Sequence, residues 1–194
     1  MRVLIACEYS GVVREAFRKR GHDAWSCDLL PADDGSQYHF EGDCWPIIAQ
    51  DWDLIIMHPP CTALAVSGNA HYGTGKPKNH LRAEAIEWTL SLYDHAKQYA
   101  PRVAFENPVG VLPVKPTQYV QPYQFGHPES KKTGLWLHNL PPLTDTNTLP
   151  KPERGYWDNQ TPSGQNKLAP SADRWKIRST TYQGIADAMA EQWG

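Results

Sequence analysis

The sequence has no long apolar run, no Cys-x-x-Cys pair and no excess of basic charge. A membrane-spanning helix needs about 18 or more apolar residues, and none of the 194 residues lies in such a run. The four cysteines lack zinc-knuckle spacing, and a formal net charge of −2 leaves nucleic-acid contact to local Lys/Arg clusters. The N-terminal residues do not resemble a signal peptide. We therefore expect a cytoplasmic protein with no membrane partner and no metal.

Apolar runs alternate with helical spacing along most of the chain. The predicted strands are residues 2–7, 22–29, 53–58, 102–107 and 133–139, with a further strand tip at 41–44. The predicted helices are residues 12–21, 79–100 and 182–194, and the second has an apolar stripe of Leu81, Ala85, Trp88, Leu92 and Ala96. This alternation predicts an α/β fold with a mostly parallel sheet and helices on both faces.

Polar residues follow the apolar runs directly. They are Glu8, Asp28, Asp43, Cys61 and Glu106. In open α/β sheets, ligands bind outside the carboxyl ends of the strands, so we expect these residues to gather along one edge. Any single acid in such a position is also typical of a helix cap or a solvated loop.

The first three acids suggest a nucleoside site. Asp28 ends the second strand, where nucleotide-binding sheets place an acid for ribose hydroxyls. The first turn contains Gly11 but no full GxGxxG, so an adenosyl ligand without phosphates suits it better than a dinucleotide. Asp43 is a candidate acceptor for a base amino group.

The stretch "HPPCTAL" presents a thiol after two prolines. Pro59 and Pro60 stiffen the backbone before Cys61. A buried, inert cysteine is the common alternative. A reactive thiolate needs a nearby cation, and the candidates are His58, Lys76 and Lys78.

The stretch "AFENPVG" places Glu106 and Asn107 after another apolar strand. Burial of a carboxyl group raises its pKa, so we expect Glu106 to stay protonated near neutral pH. It would then donate a hydrogen bond to a heteroaromatic ring nitrogen.

"HPPCTAL" followed by "ENPVG" resembles the PPC and ENV motifs of cytosine-C5 DNA methyltransferases. The stretches "ACEYSGVVREAF", "SCDLLPA", "EGDC", "YQFGHPESKKTGLWL" and "STTYQGIADAMAEQW" are similar to further motifs of that family in the same order. The compact form resembles small methylase-like proteins encoded by bacteriophages, which places it in the host cytoplasm. The resemblance implies a Rossmann-like S-adenosylmethionine-dependent methyltransferase fold and DNA as the partner.

The resemblance also implies a mechanism. The Cys61 thiolate adds to C6 of a flipped-out cytosine, Glu106 hydrogen-bonds N3 and the amine, and C5 takes a methyl group from S-adenosyl-L-methionine. Cofactor binding is assigned to Glu8, Gly11, Asp28, Asp43, Pro59 and Arg178. Substrate binding is assigned to Pro60, Asn107, Lys131 and Lys132.

Two substitutions depart from the family pattern. Residues 129–133 read "ESKKT" where the family has an arginine for the cytosine oxygen, so Lys131 or Lys132 replaces it as a point charge. Arg178 falls where the family carries an asparagine beside the donor's methyl group. A cation there suits a carboxylated form of the donor; alternatively, Arg178 turns outward and binds phosphate.

The chain divides by pattern into three parts. Residues 1–140 form the catalytic Rossmann-like core, 141–175 a short target-recognition-like loop region, and 176–194 a C-terminal helix that returns to the core. The loop region holds Lys and Arg residues among Tyr156, Trp157 and Trp175, which suits backbone contact and base stacking. An ordinary proline-rich loop is the alternative. The short region indicates loose specificity, or a single-stranded or nucleotide substrate.

Two other functions remain open. The degenerate "ESKKT" would suit a catalytically impaired adenosyl- and DNA-binding protein, whereas the retained Cys61 and Glu106 oppose that interpretation. A modifier of free pyrimidine nucleotides is the second alternative. His71, His80 and His127 are unranked candidates for the base that removes the C5 proton, and each is also typical of a loop histidine.

Overall fold

The computed structural model describes residues 1–194 as a seven-stranded sheet with helices on both faces. The strands are β1 (Arg2–Ala6), β2 (Asp23–Asp28), β3 (His39–Glu41), β4 (Leu54–Met57), β5 (Val103–Pro108), β6 (Gln118–Val120) and β7 (Thr133–His138). The helices are α1 (Val12–Lys19), α2 (Cys44–Ile48), α3 (Asn69–Tyr72), α4 (Asn79–Tyr99), α5 (Arg174–Ser179) and α6 (Gln183–Gln192). No helix has the length and apolar character that a membrane span requires.

The strand order is β3-β2-β1-β4-β5-β7-β6. The first five strands run parallel, whereas β7 pairs antiparallel with both β5 and β6. The order reverses between β1 and β4, which makes their carboxyl ends the switch point where such sheets bind ligands. The prediction of an α/β, Rossmann-like fold with a mostly parallel sheet is confirmed.

Alternate side chains of each central strand enter two separate cores. Val3 and Ile5 lie on the face covered by α1 and α6, whereas Leu4 and Ala6 lie on the face covered by α2 and α4. All four are fully buried. A strand buried on both faces reads as a continuous apolar run because successive side chains point to opposite faces, which explains why β1, β4 and β5 were legible in the sequence.

The predicted apolar stripe of α4 holds only in its second half. Leu92 and Ala96 are fully buried, but Leu81 is 38% exposed and its neighbour Arg82 is 8% exposed. The first half of α4 therefore turns the charged Arg82 towards the protein. The Arg82 guanidinium donates hydrogen bonds to the loop that follows β4.

Short and polar elements were missed. The sequence indicated no helix at α2, α3 or α5 and no strand at β6, whose few residues are too short for periodicity to show. Residues 41–44, expected as a strand tip, instead hold the end of β3 and the start of α2. Residues 141–173 contain neither helix nor strand and are held to the segment before β7.

Candidate active site

The carboxyl ends of β4 and β5 place a histidine beside a glutamate. Met57 and Phe105 are paired in the parallel ladder, so His58 and Glu106 follow at adjacent strand ends. His58 Nδ1 lies 3.3 Å from Glu106 Oε2, and each side chain is 11% exposed. The sequence proposed His58 as a partner of the thiol, whereas in the structure its imidazole is bonded to the carboxylate.

Asn107 fixes the turn that carries the thiol. Its Nδ2 donates to the carbonyl oxygen of Pro59 at 3.0 Å, which ties the end of β5 to the proline pair. Pro59 is buried, Pro60 is exposed and Cys61 is half-buried. The Cys61 sulfur is therefore held at the ligand edge by a rigid turn and is not enclosed in the core.

Arg82 holds the loop that follows the thiol. Its Nε donates to the Ala63 carbonyl at 2.7 Å, Nη2 to the Ala65 carbonyl at 3.4 Å, and Nη1 to Asn69 Oδ1 at 2.8 Å. A buried guanidinium with neutral acceptors is retained only where its donors are satisfied. Arg82 thus acts as a clamp from α4 on the segment next to Cys61.

One of the two candidate lysines reaches this cluster. Because β7 runs antiparallel to β5, its first residue Thr133 pairs with Pro108 and brings the preceding residues to the carboxyl edge. Lys131 is half-buried, with Nζ donating to the Thr180 carbonyl at 3.4 Å, and its charge acts on Glu106 and Cys61. Lys132, in contrast, is exposed, and its Nζ lies over the Tyr119 ring at 4.3 Å from its centroid.

The thiol is not activated in the protein as it stands. Burial raises the pKa of Cys61, and the Glu106 carboxylate raises it further, while Lys131 and Arg178 lower the pKa in part. Lys76 and Lys78, the cations expected from the sequence, are exposed in the turn before α4. The cations that lower the pKa of Cys61 are instead Lys131 and Arg178, both much later in the chain.

Glu106 is ionised, which corrects the expectation that burial keeps it protonated. Burial does raise its pKa, but the hydrogen bond from His58 and the positive charges of Lys131 and His58 outweigh burial and bring the pKa below its ordinary value. Thr181 Oγ1 adds a contact at 3.5 Å. The resting site therefore holds a carboxylate.

On the donor side, Glu8 and Gly11 shape the first turn. Glu8 is 4% exposed and accepts hydrogen bonds from the backbone N–H groups of Val13 at 2.8 Å and Arg14 at 3.2 Å. It therefore caps α1, which is the alternative noted for an acid after a strand. Gly11 has φ +73°, and a Cβ there would meet the Arg14 guanidinium, so the turn requires glycine.

Asp28 and Asp43 lie at the ends of β2 and β3. Asp28 Oδ1 accepts from Leu30 N at 3.0 Å, and burial raises the pKa of its carboxyl group. Next to it, Leu29 is 76% exposed, an apolar side chain placed beside a polar acceptor. Asp43 caps α2 by accepting from Trp45 N at 3.1 Å. A carboxylate with an exposed apolar neighbour suits a ribose and a base, so the residues fit an adenosyl group.

Helix α5 crosses this turn and carries Arg178. Tyr9 and Ser179 hydroxyls lie 3.2 Å apart, and Lys176 Nζ lies 3.5 Å from Asp33 Oδ1, so the helix is attached to the loops after β1 and β2. Arg178 is exposed, yet its charge lowers the pKa of Cys61. Arg178 therefore belongs to the helix attached to the donor-side loops, and its charge reaches the thiol.

The remaining aromatic and histidine candidates differ in their exposure and in their hydrogen bonds. Trp157 is buried and stacks on Tyr123 at 5.0 Å, so it is unavailable for base stacking, which corrects that expectation. Trp175 is 51% exposed and remains available. His127 Nε2 accepts from Gly184 N at 2.9 Å at the start of α6. His71 is exposed, as is His80, beyond the turn that carries Cys61.

Sequence reasoning missed two residues of this cluster. Thr181 lies between α5 and α6, and no apolar pattern marks it. Arg82 did leave a signal, because it occurs next to Leu81 at the position where the helical stripe loses its apolar residues.

No protein-family model matches the chain. No curated protein sequence matches it either. Among solved structures, the chain is similar to the crystal structure of the Dnmt2 methyltransferase of S. pombe, with 18% sequence identity and a TM-score of 0.49. The match covers 73% of this chain and 51% of that chain, so this chain spans about half the length of that protein.

Proposed function

We propose that the chain transfers a methyl group from S-adenosyl-L-methionine to C5 of cytosine in DNA. One observation carries the proposal: the half-buried Cys61 thiol and the Glu106 carboxylate, 11% exposed, lie at neighbouring strand ends that the Asn107–Pro59 hydrogen bond joins, and the Lys131 charge lowers the pKa of both groups. This combination of nucleophile, acid–base group and cation serves addition to an electron-poor pyrimidine ring.

The donor binds along the ends of β1 to β3 in this proposal. Asp28 accepts from the ribose hydroxyls, Asp43 faces the base amino group, and the Gly11 turn and Pro59 form the walls. Glu8 contributes by capping α1, since both of its oxygens are taken by backbone amides. When bound, S-adenosyl-L-methionine supplies an electrophilic methyl group.

Each active-site residue has one task in the reaction. The Cys61 thiolate forms a bond to C6, and the ring electrons move through C5 and C4 to N3. Glu106 hydrogen-bonds N3 and the exocyclic amine, and Lys131 offers a point charge to the cytosine oxygen in place of an arginine. Asn107 and Pro60 keep the thiol turn in place. A base then takes the proton from the methylated C5, and the C6–S bond breaks to release the Cys61 thiolate.

Incubation with DNA and the donor, followed by mass spectrometry of the nucleosides, tests the proposal. The chain should yield 5-methylcytosine, and Cys61→Ser should lower the yield by about 10⁴-fold or more because the nucleophile is lost. Thr62→Ser, a change of an exposed neighbour in the same turn, is the matched control and should retain activity. The proposal is wrong if wild type forms no product on any of the four substrates, which are duplex DNA, single-stranded DNA, RNA and dCMP.

The same set of substrates distinguishes the proposed DNA methyltransferase from the alternative functions. A product from dCMP alone favours a nucleotide modifier, and a product from RNA alone moves the substrate away from DNA. DNA that carries 5-fluorocytosine should trap the Cys61 sulfur as a covalent adduct, whereas a binding protein without turnover leaves the thiol free.

A carboxylated donor is a second candidate, and it rests on Arg178. Its charge lowers the pKa of Cys61, which supports a place for it within range of the transferred group. A carboxylate on that group would pair with the guanidinium, whereas a plain sulfonium would be repelled. With both donors in competition, carboxymethylcytosine that disappears in Arg178→Gln supports this candidate. Methylcytosine alone from both proteins means that Arg178 faces phosphate.

A further inference from the structure

His58 has an unusual set of surroundings for a residue next to a catalytic thiol. Nδ1 meets the Glu106 carboxylate, while Nε2 is buried and has no hydrogen-bond partner in the protein. The neighbouring strand β1 ends near Glu8, whose buried carboxylate also acts on the imidazole. His58 thus contacts one carboxylate, that of Glu106, and is reached by the charge of a second, that of Glu8, at the switch point of the sheet.

The charges around His58 favour the protonated imidazole. Burial lowers the pKa of His58, but the hydrogen bond and charge of Glu106 together with the charge of Glu8 raise it above its ordinary value, against the opposing Lys131. The pKa of Glu106 is lowered by the same contact. The contact therefore favours an imidazolium next to a carboxylate, with one proton between Nδ1 and Oε2.

A carboxylate alone cannot complete the proposed reaction. When the thiolate adds to C6, an electron pair arrives at N3 and needs a proton. Glu106 holds none at rest, and Lys131 is turned to the Thr180 carbonyl at 3.4 Å. Among the groups in contact with Glu106, His58 titrates nearest to neutral pH.

We propose that His58 is the proton reservoir of Glu106, a positioning residue that supplies the proton delivered to cytosine N3; this rests on the proposed function. As the sulfur–C6 bond forms, the N–H bond at Nδ1 breaks, an O–H bond forms on the carboxyl group, and the carboxyl group gives a proton to N3. When C5 has taken the methyl group, N3 returns the proton to Glu106 and His58. The pair gains and loses no proton over the cycle.

His58→Gln tests the reservoir because its amide still donates to Glu106 but has no transferable proton. At pH 7 the single-turnover rate should fall about 100-fold, the lower end of general acid–base contributions. The pH profile is the distinctive readout. Wild type should stop gaining rate at the pH where the imidazolium is lost, whereas His58→Gln should keep gaining as Cys61 ionises, so that its deficit shrinks with rising pH.

A merely structural role of His58 predicts a deficit that is constant with pH, and this result, or a deficit below about 3-fold, overturns the proposal. His95→Gln is the control, since His95 lies on α4 against Trp45, 4.8 Å between ring centroids, and should keep the wild-type profile. Thermal unfolding verifies that His58→Gln is folded.

A second measurement does not depend on turnover. In an NMR titration of the histidine side chains, Glu106→Gln should lower the pKa of His58, because the hydrogen bond and the charge that raise it are removed. An unchanged titration overturns the proton pair even in an active enzyme. A shifted titration in a chain that modifies no cytosine means that the proposed function has failed while the pair exists, and the reservoir role fails with it.

Discussion

The two halves of the carboxyl edge use their acids in different ways. On the β1–β3 side, Glu8 and Asp43 accept hydrogen bonds from backbone amides at the starts of α1 and α2. On the β4–β5 side, the Glu106 carboxylate meets the His58 and Thr181 side chains. Glu8 and Asp43 in the first half cap helix starts, whereas Glu106 in the second half contacts other side chains.

The difference follows from what comes next in the chain. Glu8 and Asp43 are each followed closely by a helix, whose first N–H groups need acceptors. Glu106 is followed by Asn107 and the last strand residue Pro108, with no α-helix until α5. An acid after a strand is therefore free for chemistry mainly where no helix follows it. This rule separates candidates that share one sequence signal.

Arg82→Met should produce the largest loss of stability among variants that test the comparison. It removes charged hydrogen bonds to two loop carbonyls and Asn69 and leaves those acceptors unpaired, which costs about 3 kcal/mol in the free energy of unfolding. Urea denaturation measures the loss. Arg154→Met, at an exposed arginine of the loop region, should stay within about 0.5 kcal/mol. Equal losses for both would mean that the β4–β5 half needs no clamp.

The paired variants Lys131→Gln and Lys132→Gln should differ sharply in activity. Lys131 acts on both Cys61 and Glu106, so its loss should lower the transfer rate about 100-fold, as for removal of one electrostatic stabiliser. Lys132 lies over Tyr119, and its loss should change the rate by less than about 3-fold. Single-turnover kinetics on one DNA substrate compares them. If Lys132→Gln lost more activity than Lys131→Gln, the cation in the site would be Lys132, and the role given to Lys131 would be wrong.

Substitutions of Asp43 should have the smallest effect on stability. They distinguish the contribution of its N-cap hydrogen bond from that of its negative charge. Asp43→Ala should cost about 1 kcal/mol of stability because α2 loses its N-cap, whereas Asp43→Asn keeps an acceptor and should cost only a few tenths. Thermal unfolding shows both values. If the two substitutions cause the same loss of stability, the carboxylate charge, and not the cap, is what the helix requires.

Much of the fold was legible because the buried strands are continuous apolar runs. Residues 2–7, 53–58 and 102–107 were predicted as strands, and β1, β4 and β5 lie within one residue of those limits. The short strand β6 and the polar helix α5 were not legible, since three to six residues carry no period.

The sequence predicted which residues belong to the candidate site, but it did not predict which of them contact each other. The stretches around Cys61 and Glu106 mark both strand ends, yet the imidazole–carboxylate pair joins residues 48 positions apart. Nothing local distinguishes Lys131 from Lys132, because only the strand pairing of β7 decides which side chain turns inward. The ionisation of Glu106 likewise depends on neighbours that only the fold brings together.

The reversed direction of β7 has a consequence for locating residues in sheets of this kind. A strand that runs against its neighbours delivers its preceding segment, and not its following one, to the ligand side. Lys131 joins the site by this route, from a position where a search restricted to strand exits would never look. A slip of β7 by one residue against β5 would exchange the positions of the two lysines at this edge, so the register of the antiparallel pair decides which of them the proposed reaction can use.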